Sequence, residues 1–476
     1  MSAPSHYLAF DLGASSGRAL LGTLKDGKMR MDEVHRFDTP VVERDDHLYW
    51  DIELLWEELC AGLAKALEVA PDIKSLSVDS WAVDYVRLNR DGKPLGNPFA
   101  YRDERLDGVM ESAWSTVPPS EIYGITGIQF LPFNSLYQVI ADYRDEVLAR
   151  EEVACRLCIA DYFNFRFGGA SLDEAAIDES MASTTQLMDV RSRAWSTDLM
   201  RRFDIDDGTW PRIVKPGTVL GTVAAHPGIR IVACCSHDTG SAVAATPASG
   251  EAPWAFVSCG TWSLFGVELD EPLVSEDSLA YGFTNEAGID GTVRFLKNLT
   301  GFWILQECQR AWEEQDGSAI DIGALMDDAE AAEFGGKHID MQDGRFLPRG
   351  HMPTTLAGYC NEKQIDLPAT RAGVVRLIVE SMADSYRRTL REVEHLTGKT
   401  IETIHLFGGG SRSSLLARLT ADVCGVRVVT GPVEATALGN LLVQARALGD
   451  FDAGDNIRSV SVRSSDLQEF LPSQTG

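Results

Sequence analysis

Short apolar runs at 7–11, 19–21, 73–78, 231–233, 254–258, 401–407 and 426–429 are strand-length and bounded by glycine or polar residues, which predicts buried strands. The first run ends in Leu12-Gly13-Ala14-Ser15-Ser16-Gly17-Arg18 and resumes at Ala19, a strand, turn, strand order in which the two glycines would supply the positive dihedrals of a tight hairpin. A second rhythm is helical. Ile52, Leu55, Leu59, Leu63 and Leu67 recur three or four apart and predict a helix over 50–69, and Val374, Ile378, Met382, Tyr386, Leu390 and Val393 do the same over 371–396. Further helices are expected at 298–310, from Ser135, over 414–424 and from Pro432, whereas the polar residues after Asp455 read as partly disordered. Strands alternating with helices favour a parallel or mixed α/β sheet.

The strand, glycine turn, strand plan recurs at Trp254 through Cys259-Gly260-Thr261-Trp262 to Gly266, just after a Pro-, Gly- and Ser-containing stretch at 246–253. Two domains are therefore expected, 1–246 and 247–476, opening on similar hairpins as an internal duplication would. At 476 residues the chain is long enough for both. Its charge, 43 Lys and Arg against 71 Asp and Glu for a net of −28, argues against a general cationic surface for nucleic acid. No apolar run approaches the roughly 18 residues of a membrane span, and 1–6 lacks the pattern of a signal peptide, so a cytoplasmic location is expected. Cys155-x-x-Cys158 has no second pair to complete a zinc site, so the nine cysteines are read as buried thiols, with Cys234 and Cys235 on opposite faces of a strand. Gly398-Lys399-Thr400 ends like a phosphate loop, but Val393 stands where its first glycine belongs, so it reads as a helix stop.

Candidate chemistry collects at strand ends. Asp238, in Cys234-Cys235-Ser236-His237-Asp238-Thr239-Gly240, follows an apolar run and precedes a small-residue run, so it reads either as a helix cap or as a catalytic carboxylate. Asp11 beside the hydroxyl-rich hairpin suits a metal-linked phosphate site, because a carboxylate next to a phosphate needs a cation between them. Asp79-Ser80-Trp81-Ala82-Val83-Asp84 closes another strand, where open α/β sheets bind ligands. Gly408-Gly409-Gly410 before a helix lets backbone approach a flat or phosphorylated ligand.

In order along the chain, Asp11 to Arg18, Trp81-Ala82-Val83-Asp84, Tyr101-Arg102-Asp103, 127–134, Ser236-His237-Asp238-Thr239, Gly260-Thr261-Trp262-Ser263-Leu264, Leu296-Lys297-Asn298, Gly408-Gly409-Gly410 and Gly431-Pro432-Val433-Glu434-Ala435 together resemble the FGGY family of carbohydrate kinases. The resemblance implies an α/β protein of two actin-like, ribonuclease H-like ATPase domains with an interdomain cleft. It also implies ATP-dependent phosphorylation of the 1-hydroxyl of L-rhamnulose in L-rhamnose catabolism. By position, Asp238 would be the base, with Trp81, Ala82, His237, Thr239 and Asn298 beside the sugar. Ala14, Ser15, Ser16, Gly17, Arg18, Thr261, Gln306 and Gly409 would hold ATP, and Asp11 would bind Mg2+ through water. The implied partners are a small ketose and ATP, with neither nucleic acid nor membrane; oligomeric state is left open. One departure is Ala82, where the family pattern used for comparison has glycine, which keeps L-fuculose, xylulose and glycerol as alternative substrates. A reading from another class, a non-catalytic sugar-binding regulator or actin-like structural ATPase, is separated by whether ATP consumption depends on a ketose.

Overall fold

The computed structural model describes residues 3–169, 171–250 and 252–473. Two compact units are present: Met1–Pro247 with Glu268–Phe295 and Ala435–Ser464, and Ala248–Val267 with Leu296–Glu434 and Ser465–Gly476.

The first unit carries a six-stranded sheet in the order Val219–Val223, His226–Val232, Ile73–Ser80, Ser5–Leu12, Ser16–Lys25, Lys28–Asp38. The middle three strands are parallel and the outer pairings antiparallel. Side chains of Ser5–Leu12 alternate between two cores, as the two-residue period of a strand requires. Leu8, Phe10 and Leu12 bury against Leu55, Leu59 and Leu63 of the helix Ile52–Val69. Tyr7 and Ala9 bury against Leu438, Leu441 and Leu442 of the helix Ala435–Ala447. A strand covered on both faces explains why the run 7–10 is apolar throughout rather than alternating.

This second core joins distant stretches of the chain within the first unit. The stretch at 246–253 does end the first long segment, yet 268–295 and 435–464 group with the N-terminal residues instead of forming one continuous domain after 247. The apolar face of Ala435–Ala447 is the physical reason, since it completes the far side of the first sheet. The tail also differs from expectation: Ile457–Ser464 is a helix with Ile457 and Val460 buried, and Gln468–Phe470 is a strand.

In the second unit the order runs Trp262–Leu269, Trp254–Cys259, Thr403–Phe407, Arg427–Thr430, Gln468–Phe470. An antiparallel hairpin followed by a parallel neighbour repeats the plan of the first unit. The helix Arg371–Thr397 begins with Thr370 accepting from the Gly373 amide and stops at Gly398 in the left-handed conformation. Residues 298–310 are not one helix: Val293–Thr300 is a strand, and the helix is Trp303–Asp316. The break falls at Gly301, where a Cβ would come within 2.6 Å of the Gly260 carbonyl oxygen, so the backbones touch there and a continuous helix is excluded. All nine cysteines are free thiols and all but Cys60 are buried. Among the described residues no group of three His, Cys, Asp or Glu is placed to hold a metal, and no helix is long and apolar enough to cross a membrane.

Candidate active site

Parallel pairing in the first unit brings three strand ends level. The Trp81 amide donates to Leu12 O at 3.2 Å, and the Ser80 amide to Ser236 O at 2.9 Å. Asp11 and Asp79 are register partners, and Ser80 is bridged to His237. Asp11, Asp79, Trp81 and Asp238 therefore share one edge. Asp11 Oδ2 accepts from Arg18 Nη2 at 2.5 Å, a charge-assisted bond across the hairpin. Asp79 is fully buried, with Oδ2 accepting from Asn440 Nδ2 at 2.5 Å and Oδ1 without a partner. Burial, with the charges of Asp11 and Asp238, pushes its carboxyl well above the usual range.

The hairpin is held by Gly13 N donating to Ser16 O at 3.0 Å and Thr39 Oγ1 to Gly13 O at 2.8 Å, which leaves Ala14 and Ser15 outermost. Neither Gly13 nor Gly17 has a positive φ, contrary to the expectation for a tight hairpin. Gly17 is needed for space: a Cβ there would collide with the Phe37 ring.

His237 occupies the N-cap without a side-chain hydrogen bond and Asp238 is the first residue of the helix Asp238–Ala244, so Asp238 stands at the helix start and on the edge but is not the cap. Thr239 N donates to Asp238 Oδ1 at 2.5 Å and Thr239 Oγ1 lies 3.2 Å from the same oxygen. Two buried carboxylates anchor this turn from behind. Ser236 N donates to Asp178 Oδ1 at 3.2 Å and Ser236 Oγ to Asp161 Oδ1 at 3.1 Å, while His237 N donates to Ser180 Oγ at 3.2 Å. Burial drives Asp178 up to about 7, and burial with the Asp178 charge raises Asp161 well above normal. The small-residue helix after Asp238 is packed closely, as expected: Gly439 of Ala435–Ala447 lies so close to the Ser241 backbone that no Cβ would fit there.

Trp81 and Ala82 sit on a loop fastened by Asp84. The buried Asp84 carboxylate accepts from Trp50 Nε1 at 2.6 Å, Trp81 Nε1 at 3.0 Å, Tyr101 N at 3.2 Å and Gln138 Nε2 at 2.7 Å. Burial outweighs these four donors and lifts Asp84 to about 6. Val83 between them has φ 72°, strain of about 1–3 kcal/mol for a β-branched residue, and its carbonyl is held by Ser135 Oγ at 2.5 Å and Gln138 Nε2 at 3.3 Å.

Thr261, Asn298, Gln306 and Gly409 lie in the second unit. Thr261 occupies the hairpin turn, and its carbonyl accepts from the Gly301 and Trp303 amides at 3.1 and 3.2 Å. Asn298 is half-buried on its strand, and Gln306 is exposed on the first turns of Trp303–Asp316. Gly408 has φ 79° and Gly409–Arg412 forms a short turn before Ser413 caps Ser414–Cys424. A Cβ on Gly410 would strike the Cys259 thiol, so the glycines bring this turn against the hairpin strand. Asp161, Asp178, Glu286 and Arg294 were not singled out by sequence. Ionisable residues inside apolar stretches, as in Ile159-Ala160-Asp161-Tyr162 and Val293-Arg294-Phe295, were the available signal.

Comparison with known proteins matches residues 6–244 to the N-terminal domain, and 255–448 to the C-terminal domain, of the FGGY family of carbohydrate kinases. Rhamnulokinase of Pectobacterium carotovorum is 40% identical, covering 99% of this chain and 94% of that one. Rhamnulokinase of Bacteroides thetaiotaomicron is 36% identical, covering 98% and 96%. A solved gluconate kinase from Lactobacillus acidophilus shares the fold with TM-score 0.77 at 16% identity, covering 99% of this chain and 94% of that one.

Proposed function

The chain belongs to the FGGY family of carbohydrate kinases, and from that premise we propose that it transfers the γ-phosphoryl group of ATP to the 1-hydroxyl of L-rhamnulose, forming L-rhamnulose 1-phosphate in L-rhamnose catabolism. Similarity to rhamnulokinases over nearly the whole chain supports the substrate. The observation that carries the chemistry is the openness of Asp238. Its side chain is 33% exposed, against 9% for Asp11 and full burial for Asp79, so of the edge carboxylates it is the one a substrate can reach.

In this reading the sugar hydroxyl gives its proton to Asp238, and its oxygen lone pair forms the new bond to the γ-phosphorus. The bond from that phosphorus to the bridging oxygen breaks, and ADP leaves with the electron pair. Positioning and charge neutralisation carry most of such a transfer. Trp81, Ala82, His237, Thr239 and Asn298 orient the ketose. The hairpin residues Ala14 to Arg18, with Thr261, Gln306 and Gly409, hold the nucleotide.

A divalent cation fits the residues at the edge: Asp11 with the unpartnered Oδ1 of its neighbour Asp79 offers hard oxygen ligands, and Mg2+ takes only one or two carboxylates beside phosphate oxygens and water. When bound, Mg2+ would neutralise phosphate charge, held by Asp11 through water. The proposed location is the cytoplasm, where ATP is supplied.

A coupled ATP-consumption assay across L-rhamnulose, L-fuculose, L- and D-xylulose and glycerol tests the proposal. The highest kcat/KM is expected for L-rhamnulose. A higher value for another acceptor would reassign the substrate, and ATP consumption indifferent to added ketose would overturn the reading.

A further inference from the structure

Behind His237 stands a charged pair that the transfer itself does not use. Arg294 is completely buried and Glu286 nearly so, with Arg294 Nη1 2.9 Å from Glu286 Oε2. Burial raises the Glu286 carboxyl, but the Arg294 charge and then His237 outweigh it and hold the group below its ordinary range. Glu286 is thus an anion that balances the guanidinium. The N–H groups of Arg294 are directed elsewhere: Nε to Ala287 O at 3.1 Å, and Nη1 and Nη2 to His237 Nδ1 at 3.3 and 3.2 Å. Glu286 Oε2 accepts no hydrogen bond of good geometry although it too lies 3.3 Å from Nδ1.

A guanidinium has five donors, no acceptor and no accessible deprotonated form, so a ring nitrogen facing two of its N–H groups must present a lone pair. In neutral imidazole the proton then sits on the other nitrogen. That nitrogen, Nε2, is 3.3 Å from Asp238 Oδ1. We infer that Arg294 is a positioning residue that holds His237 as the neutral Nε2–H tautomer, which donates to Asp238 Oδ1 and leaves Oδ2 as the oxygen that receives the sugar's proton.

The asymmetry of the carboxylate supports this division. Thr239 N, Thr239 Oγ1 and His237 Nε2 all approach Oδ1. Two hydrogen bonds from Thr239 already hold this oxygen, and the Nε2–H of the inferred tautomer adds its positive end to the same side, so the other oxygen is left for the sugar's proton. Without the guanidinium, Glu286 would draw a proton onto Nδ1. His237 would then either turn a lone pair toward Oδ1 or become a cation beside the base, and both weaken proton acceptance.

The inference rests on Asp238 being the base, but its main test is independent of the sugar. Nitrogen-15 histidine spectra of the full chain at neutral pH, with the His237 signals identified by their loss in His237→Gln, report which ring nitrogen carries the proton. The expected wild-type result is a proton on Nε2 and none on Nδ1. A proton on Nδ1, alone or with one on Nε2, overturns the inference without any Arg294 variant having to fold. Arg294→Met is expected to move the proton to Nδ1 and to lower kcat about 10²-fold at saturating ketose, whereas Arg294→Lys, which keeps a cationic donor, retains the Nε2–H signal and most of kcat. A tautomer unchanged in Arg294→Met, or a switched tautomer with wild-type kcat, contradicts the inference. If L-rhamnulose is not phosphorylated while the spectra agree, the substrate proposal fails and the positioning role stands.

Discussion

Replacing Asp84 with Asn removes a buried ionisable group beneath the loop that carries Trp81 and Ala82. With its pKa lifted from 3.8 to about 6 by burial, Asp84 keeps its proton in the folded state over a range where the unfolded chain has lost it. The stabilisation is fully present below pH 3.8 and is lost as pH rises through about 6, because the native state binds the extra proton in that window. About two units at 1.36 kcal/mol each gives a loss on the order of 3 kcal/mol from this group. Asp84→Asn lacks that loss, so its melting temperature relative to wild type should rise between pH 4 and pH 7 by roughly 5 °C or more for a domain of this size. Asp161, Asp178 and Asp79 are also raised and titrate in both proteins, so the difference isolates Asp84. The variant should also raise KM for the ketose, because the Asn amide sets a donor against Gln138 Nε2 where Oδ1 accepted and loosens the Trp81 loop. Thermal melts at half-unit pH steps are the assay. Parallel melting curves for the two proteins would refute the reasoning.

Two glycine substitutions probe packing that supports the site. Gly439→Ala forces Ala435–Ala447 away from Ser241 of the helix that begins with Asp238, and should cost about 1–3 kcal/mol in denaturant titrations. Gly17→Ala presses on Phe37 and should displace the hairpin, raising KM for ATP more than KM for the ketose in steady-state kinetics.

Periodicity and glycine placement made the opening hairpins, the helices Ile52–Val69 and Arg371–Thr397 and the glycine turn before Ser414–Cys424 legible, because local pattern decides each. Long-range packing was not legible. Nothing in Ala435–Ala447 as a string says that its apolar face closes the sheet begun by Ser5–Leu12, and the strand Val293–Thr300 carries a polar end that reads as helix until Gly301 is seen against Gly260. Within the site, Asp11, Trp81, His237 and Asp238 stood out as polar residues at strand ends. The shell behind them did not, since Asp178 and Arg294 act on Ser236 and His237 through contacts that span 58 and 57 residues. Gly13 and Gly17 show the reverse case: the right residues were picked out for a dihedral reason when clearance is what Gly17 supplies.

The central claim is that Asp238 takes the proton from the hydroxyl that is phosphorylated. Asp238→Asn keeps an oxygen for the Thr239 amide and so preserves the turn, while removing the base. In the coupled assay with saturating L-rhamnulose and Mg-ATP, kcat is expected to fall by about 10²- to 10⁴-fold with the melting temperature little changed. A folded Asp238→Asn protein that turns over at near the wild-type rate would contradict the account.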